Sequence, residues 1–152
     1  MDTMDQILAG HSFFDGFEPE MIQLIAGCAS NCRFKAGEYL CREGDAADTF
    51  YLIRHGKVAL EVAAPGRASV IVATLGEGEI VGSSWFVPPY RWLFDARAVE
   101  LIRATRVNAK CLRDKCEADH HLGYEMVKSF LPILAKRLHA TRLQTLDVYG
   151  SD

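Results

Sequence analysis

The sequence predicts a mainly β domain with flanking helices, and three features of the chain support this. An apolar repeat at helical spacing lies close to the N-terminus. The central residues, 31–110, are rich in β-branched and aromatic side chains and are divided by glycines. Beyond them glycine becomes rare and helix-forming residues dominate. We therefore expect one domain over residues 1–152, with a short helix before the strands and longer helices after them.

The N-terminal part, residues 1–30, contains the first predicted helix, from about Pro19 to Ala29. Proline is favoured in the first helical turn, and Glu18 and Glu20 suit the positive N-terminal end of a helix dipole. Apolar residues then follow at helical spacing: Met21, Leu24, Ile25 and Cys28.

Residues 31–110 form the predicted β region. Its glycines recur mostly seven to twelve residues apart: Gly37, Gly44, Gly56, Gly66, Gly76, Gly78 and Gly82. This spacing is typical of short antiparallel strands joined by tight turns. Alternating apolar residues on both sides of the turn at Arg54–Lys57 predict a hairpin. To bury so much apolar surface and protect its edges, the sheet must close or fold on itself.

Residues 111–149 form the predicted C-terminal helices, a short one near Arg113–Ala118 and a long one from about His120 to Asp147. Pro132 lacks a backbone N–H and should bend the long helix. The apolar residues of this helix lie at spacings of three and four: Leu122, Met126, Phe130, Ile133, Leu134, Leu138 and Thr141. One β domain cannot cover a helix of this length, so we favour self-association over packing entirely on the same chain.

Composition excludes several classes of function. The net charge of −3 gives no electrostatic help in holding a phosphate backbone, so nucleic acid is a poor partner. No apolar run approaches the ~20 residues needed to cross a bilayer. The acidic N-terminus lacks the basic character of a secretory signal. We expect a cytoplasmic protein with no membrane partner.

The cysteines are odd in number, and we expect them to be reduced thiols in a chain without an export signal: Cys28, Cys32, Cys41, Cys111 and Cys116. Their spacings, C-x3-C and C-x4-C, differ from the C-x2-C pair of zinc ribbons and redox dithiols. Small buried thiols are therefore favoured, with a redox or metal sensor as a distant alternative.

No arrangement of residues predicts an enzyme. A metal-dependent enzyme on a β-roll needs two histidines one residue apart on a strand, and the chain has none. His120 and His121 are adjacent, so on a helix they face different directions. The chain also lacks a Gly-x-Ser-x-Gly elbow and a Walker loop. We expect no catalytic residue, no metal site and no required cofactor.

One stretch, from Phe34 to Gly82, carries a family resemblance. Its marks are Gly37, Glu43-Gly44-Asp45, Phe50-Tyr51-Leu52-Ile53, Gly56, Val58 and Gly78-Glu79-Ile80. This pattern resembles the cyclic-nucleotide-binding domains of catabolite-activator-type and oxygen-responsive bacterial regulators, protein kinase A regulatory subunits and gated channels. The resemblance extends from the first helix to the last, and it implies a double-stranded β-helix, a jelly-roll-like β-roll.

The resemblance also implies a ligand, cyclic AMP or cyclic GMP (cAMP or cGMP) or a related small anion. In the family a Gly-Glu segment opens a phosphate-binding cassette, whose short helix presents N–H groups to the cyclic phosphate. By resemblance Glu79, after Gly78, is the ribose ligand, and the cassette is lined by Ile80, Val81, Gly82, Ser83 and Ser84. The alternative for Glu79 is a cap on the turn after Gly78.

The next segment departs from the family, whose pattern ends in Pro-Arg-x-Ala before a strand. If Arg97-Ala98 matches that strand, the phosphate arginine falls near Trp92, which makes neighbouring Arg91 the candidate. Arg97 itself is expected to point off the strand. The segment is crowded with bulky residues: Trp85, Phe86, Pro88, Pro89, Tyr90, Trp92 and Phe94. Their bulk suits stacking on a purine or filling the pocket, and we slightly favour a filled or re-purposed pocket.

In DNA-binding relatives a helix-turn-helix follows the long helix, whereas this chain ends at Asp152. We therefore expect a stand-alone sensor that does not bind DNA directly. In the family the long helix pairs with its twin, and here Lys136, Arg137 and Arg142 are expected to stay in solvent. A ligand would move this helix through a hinge near Leu112–Ala118 and signal to an unknown protein partner. A ligand-free interaction module is the alternative.

Overall fold

The computed structural model of the protein describes residues 3–63, 65–66 and 68–150, with side chains up to residue 139. Within these residues eight strands form two four-stranded antiparallel sheets that face each other. One sheet has the order β1-β8-β3-β6 and the other the order β2-β7-β4-β5. Together with the helices at both ends, this arrangement confirms the predicted mainly β fold.

The strands are β1 Ala29–Phe34, β2 Tyr39–Cys41, β3 Thr49–His55, β4 Val58–Val62, β5 Val70–Leu75, β6 Ile80–Val81, β7 Asp95–Ala98 and β8 Ile102–Asn108. The α-helices are α1 Met4–Ala9, α2 Pro19–Ala26, α3 Ala109–Ala118 and α4 His120–Gly150. Two short 3-10 helices lie at Ser12–Phe14 and Ser84–Phe86.

The N-terminal helices differ from the prediction at two points. Helix α2 ends at Ala26, three residues early, because Gly27 closes it and β1 already begins at Ala29. Helix α1 was not predicted, since six residues carry too short an apolar repeat. A capping box between Thr3 and Gln6 stabilises α1, and Leu8 anchors it in the core.

The two C-terminal helices follow the prediction, except that α3 begins earlier. Helix α3 starts four residues earlier than predicted, because the Asn108 side chain caps it by accepting from Cys111 N at 3.0 Å. Helix α4 runs through Pro132, and the bend expected there stays a prediction. Its first half buries Leu122, Met126 and Phe130 against the same chain, and the Phe130 ring meets Phe50 of β3 edge-on at 5.6 Å. The side chain of Thr141, in the predicted stripe, lies outside the described residues.

The expectation of reduced thiols is wrong for two cysteines. Cys28 and Cys111 form a disulfide, with their Cα atoms 5.8 Å apart, and join the end of α2 to the first turn of α3. Spacing along the chain gave no signal, because 83 residues separate the partners. Cys32, Cys41 and Cys116 are free, and burial raises the pKa of the Cys41 thiol to about 12.

Two features are absent from the described residues, a membrane-spanning helix and a metal-binding cluster. Among these residues no helix is long and apolar enough to cross a membrane. The same residues contain no group of three or more His, Cys, Asp or Glu side chains placed to hold a metal ion.

Candidate functional site

The short helix expected in the cassette follows Gly82 rather than Gly78. Strand β6 separates the Gly78–Glu79 turn from Gly82, and the 3-10 helix begins two residues later, at Ser84. Gly82 has φ +110°, and a Cβ there would lie 2.6 Å from the Trp92 ring. Glycine is therefore required, because the Trp92 indole packs directly on the backbone where this segment starts.

Aromatic side chains fill the space beside this helix. Trp85 is 0% exposed and lies between Phe50 and Phe86, with ring centroids at 4.8 and 4.4 Å and nearly parallel planes. Phe130 of α4 meets Trp85 edge-on at 5.5 Å. Trp92 is also buried. Trp85 and Trp92 belong to the core and Phe86 packs against it, so the inner side of residues 85–94, which we call the aromatic segment, is filled by side chains of the same chain.

The aromatic segment is also tied to the predicted hinge. Arg113 of α3 donates from Nη1 to the Trp85 carbonyl at 2.6 Å, and its guanidinium lies 4.3 Å from the Tyr90 ring centroid. Asp48 completes the cluster as an ion-pair partner at 3.6 Å. Sequence reasoning missed Arg113, because nothing in its local pattern distinguishes it from a solvated helix residue.

The two predicted arginines are engaged elsewhere. Arg91 is exposed and donates to the Gly44 carbonyl at 3.4 Å. Arg97 of β7 donates from Nε to Glu61 of β4 at 2.6 Å, a cross-strand ion pair between neighbouring strands. Neither contact involves the 3-10 helix at Ser84–Phe86.

Glu79 lies in an exposed turn that leads into β6. Its carboxylate accepts from Gly76 N at 3.4 Å, and its carbonyl accepts from Ile53 N at 3.0 Å. The first of these contacts is the turn cap that the sequence left open as the alternative role. The second fixes the turn to the end of β3.

A cleft of about 480 Å³ lies where this turn meets the long helix, and we call it the α4 cleft. Its residues come from β5, the turn, α4 and the N-terminal segment: Ser12, Phe13, Ala73, Thr74, Leu75, Gly78, Glu79, Ile80, Ser129, Ile133, Lys136 and Arg137. Three predicted site residues therefore meet here, Gly78, Glu79 and Ile80. The lining does not include the six others: Val81, Gly82, Ser83, Ser84, Arg91 and Arg97.

Arg137 connects α4 to the turn, which contradicts the expectation that it stays in solvent. Its Nη2 donates to the Ile80 carbonyl at 2.7 Å, and its guanidinium lies 6.0 Å from the Phe94 ring centroid. Burial lowers the pKa of Arg137, while the Glu79 carboxylate raises it. The signal was present in the sequence, because Arg137 follows Ile133 by four residues and so falls on the inner stripe.

Helix α4 has two apolar stripes instead of the predicted one. Leu122, Met126 and Phe130 are buried against the same chain. A second stripe is exposed and repeats at alternating spacings of three and four: Tyr124, Val127, Leu131, Leu134 and Leu138. Leu138 is 65% exposed. We call this set the outer stripe, and its spacing is that of a coiled-coil seam.

The resemblance found in the sequence extends to named relatives. The chain is 28% identical over 149 residues to a CRP-like cAMP-activated global transcriptional regulator of Mycobacterium tuberculosis, a match that covers 98% of the chain and 65% of the relative. The chain thus spans slightly less than two thirds of that relative's length.

Solved structures share the fold. A protein of Geobacter metallireducens GS-15 assigned to cyclic nucleotide binding superposes with a TM-score of 0.80 at 25% identity, over 91% of this chain and 100% of that one. The regulatory domain of Toxoplasma gondii PKA with cAMP superposes with a TM-score of 0.69 at 18% identity, over 90% of this chain and 48% of that one.

The relatives are described as regulators or regulatory domains. The family profile described as "Cyclic nucleotide-binding domain" matches residues 31–119, more than half of the chain. Because this profile, the curated relative and the fold agree with the marks between Phe34 and Gly82, the chain belongs to the cyclic nucleotide-binding domain family.

Proposed function

We propose that this domain is a ligand-sensing regulatory module that binds cAMP, cGMP or a related small anion in the α4 cleft. The observation that carries the proposal is the Arg137–Ile80 hydrogen bond, which joins α4 to the wall of the cleft. A ligand that competes for the Arg137 guanidinium changes the link between the β-roll and the helix. The relatives support the choice of ligand, since one is a cAMP-activated regulator and another is a regulatory domain with cAMP.

The chemistry of the α4 cleft suits a nucleotide. Lys136 and Arg137 supply positive charge for a phosphate, and Thr74 and Ser129 supply hydroxyl donors. Glu79 keeps its proposed role as acceptor for a ribose hydroxyl. A volume of about 480 Å³ falls within the range of small-molecule sites. Arg137 thus takes the phosphate role predicted for Arg91, and Arg97 has no direct part.

The output of the module is proposed to be a homodimer formed by α4. The outer stripe leaves five large apolar side chains exposed on one face, and a second copy of the helix would bury them. Arg113 links the aromatic segment to α3, so movement there reaches α4 through the predicted hinge.

A protein partner, a cytoplasmic location, and the absence of catalysis and of direct DNA binding belong to the same proposal. This location requires the Cys28–Cys111 disulfide to resist reduction, because reducing compartments disfavour such bonds.

Titration calorimetry with cAMP and cGMP tests the proposal. We expect saturable binding that weakens about tenfold or more in Arg137→Ala and Glu79→Ala, because each loses a hydrogen bond to a charged or polar ligand group. Arg91→Ala is the matched control, an exposed arginine outside the cleft, and should bind like the wild type. Sedimentation at several protein concentrations tests the proposed dimer, and Leu131→Asp in the outer stripe should release a monomer. Binding lost equally in Arg91→Ala would move the site away from the α4 cleft.

A second candidate function is favoured by the burial of Trp85 and Trp92. In this alternative the aromatic segment has replaced the ligand, and the domain is a ligand-free interaction module whose dimer is permanent. Folded, ligand-free protein would then give no heat with either nucleotide, while Leu131→Asp would still dissociate the dimer. The two candidates therefore differ in calorimetry and agree in sedimentation.

A further inference from the structure

A second cleft, of about 1060 Å³, lies between α1 and the adjoining ends of β3 and β8. We call it the α1 groove. One wall is formed by Gln6 and His11 of the N-terminal segment, and the strands contribute Arg54, His55 and Arg103. Nothing in the function proposed above uses this groove, and its chemistry differs from that of the α4 cleft.

The sheet beneath the groove brings basic side chains together. Arg103 of β8 lies directly opposite Arg33 of β1 and directly opposite His55 of β3. Directly opposed residues of antiparallel strands share a face, and like charges in such pairs are destabilising. Arg54 donates to Asn31 of β1 at 3.3 Å, which places its guanidinium next to the same row.

These arginines have no acidic partner among residues 3–63, 65–66 and 68–139. None of Arg33, Arg54 and Arg103 forms an ion pair there, although the whole chain carries a net charge of −3. The groove contains a single carboxylate, that of Glu77. Three guanidinium groups within one small region are therefore not neutralised by the part of the chain described.

His11 adds an unpaired donor to the wall of the groove. Its Nδ1 accepts from Phe13 N at 3.1 Å, so the neutral imidazole carries its proton on Nε2. That Nε2 is buried and has no hydrogen-bond partner among the described residues. Burial lowers the pKa of His11, while Asp15 raises it. Because Nε2 has no surface exposed to the groove, His11 forms part of the wall and does not itself contact a ligand there.

We propose that the α1 groove is a second binding site, for a small molecule that carries a phosphate or diphosphate group. Arg54 and Arg103 would grip the phosphate oxygens through their planar donor forks, which suit phosphate geometry. The bound anion would also relieve the repulsion between Arg33 and Arg103. A few arginines within one cleft of about 1060 Å³ suit a small anion, whereas a nucleic acid needs a long basic track.

The α1 groove is a separate cleft from the α4 cleft, but the two share Ser12 and Gly78. A ligand in the groove contacts the same turn that carries Glu79. Occupation of the groove is therefore expected to alter the affinity of the α4 cleft, and the reverse, by the same factor.

Titration of the protein with inorganic pyrophosphate at constant ionic strength, followed by amide NMR shifts, tests this assignment. We expect saturable shifts at residues of the groove, with affinity lowered about tenfold in Arg103→Gln and in Arg54→Gln. Arg106→Gln, an exposed arginine on the same strand outside both clefts, is the matched control and should bind like the wild type.

Thermal unfolding separates binding from a structural role. Without pyrophosphate, Arg103→Gln and Arg33→Gln should unfold at or above the wild-type temperature, because each removes a like-charge contact. With pyrophosphate, the wild type and Arg33→Gln should gain stability, while Arg103→Gln should gain much less. Shifts that do not saturate, or an equal loss in Arg106→Gln, would overturn the site and indicate general charge attraction.

Discussion

The aromatic segment and the α4 cleft lie at opposite ends of the two-residue strand β6 and have opposite chemistry. After β6, Gly82 lets Trp92 pack on the backbone, and Trp85 is enclosed by rings. Before β6, the turn at Gly78–Glu79 opens onto a cleft with two cationic side chains. One end is filled by the chain itself, and the other presents hydrogen-bonding groups to solvent.

We infer from this difference that the aromatic segment contributes mainly to stability and the α4 cleft mainly to the proposed ligand binding. Side chains that fill a core contribute through buried area, so their loss destabilises the whole domain. Polar side chains at the mouth of an open cleft bury little area on folding. They can therefore exchange a hydrogen bond within the chain for one to a ligand. If the α4 cleft is the ligand site, as proposed, the fold can keep the aromatic segment closed because the link between ligand and helix lies on the other side of β6.

The largest expected effect is at the closed end. Trp85→Ala should lower the free energy of unfolding by about 3–5 kcal/mol, because it removes a fully enclosed ring and leaves a cavity. Trp85→Phe is the matched control and should cost much less, since it keeps a ring between Phe50 and Phe86. Urea unfolding measures both. A cost below about 1 kcal/mol for Trp85→Ala would show that the ring does not fill a rigid core.

The sequence predicted the fold well because fold signals are local and repeated. Glycine spacing marked the strands, and helical spacing marked α2 and α4. Helix α1 gives no such signal, because its six residues are too few for a clear apolar period. Glycine spacing alone predicts only a sheet that closes or folds on itself. The family marks narrow this prediction to a β-roll, and the order of the strands in the two sheets confirms it.

The candidate site was predicted less well, because it depends on contacts between distant parts of the chain. Gly78, Glu79 and Ile80 line a cleft, but the cations beside them come from α4, more than 50 residues away. The family register predicts Arg91, but this chain departs from the family pattern in that segment. The disulfide between Cys28 and Cys111 was missed for the same reason, since only the folded chain brings α2 next to α3.

A smaller effect is expected at the open end, and on ligand affinity alone. Lys136→Ala should weaken nucleotide binding about tenfold, because it removes one charge from the α4 cleft, and should leave the free energy of unfolding within about 0.5 kcal/mol. Lys128→Ala, another exposed lysine of α4 outside the cleft, should change neither quantity. Calorimetry and urea unfolding on the same samples test this pair. A large loss of stability in Lys136→Ala would remove the contrast between the two ends.

The smallest effect concerns alkaline pH and again lies at the closed end. The Cys41 thiol lies 3.7 Å from the Phe94 carbonyl, and burial raises its pKa from 9.0 to about 12. The unfolded chain therefore loses this proton at lower pH than the folded chain. Stability due to the neutral thiol is fully present below pH 9 and is lost as the pH rises from about 9 towards 12.

Between pH 8 and pH 10, Cys41 should account for a loss of about 1 kcal/mol in the free energy of unfolding. Cys41→Val, which is apolar and does not titrate, should flatten this part of the pH profile. Some slope should remain, because burial also raises the pKa of Cys116, to about 11. Urea unfolding at each pH gives the slopes for both proteins. Equal slopes in the wild type and Cys41→Val would mean that solvent reaches this thiol, and that the closed end opens more readily than the packing of Trp85 and Trp92 indicates.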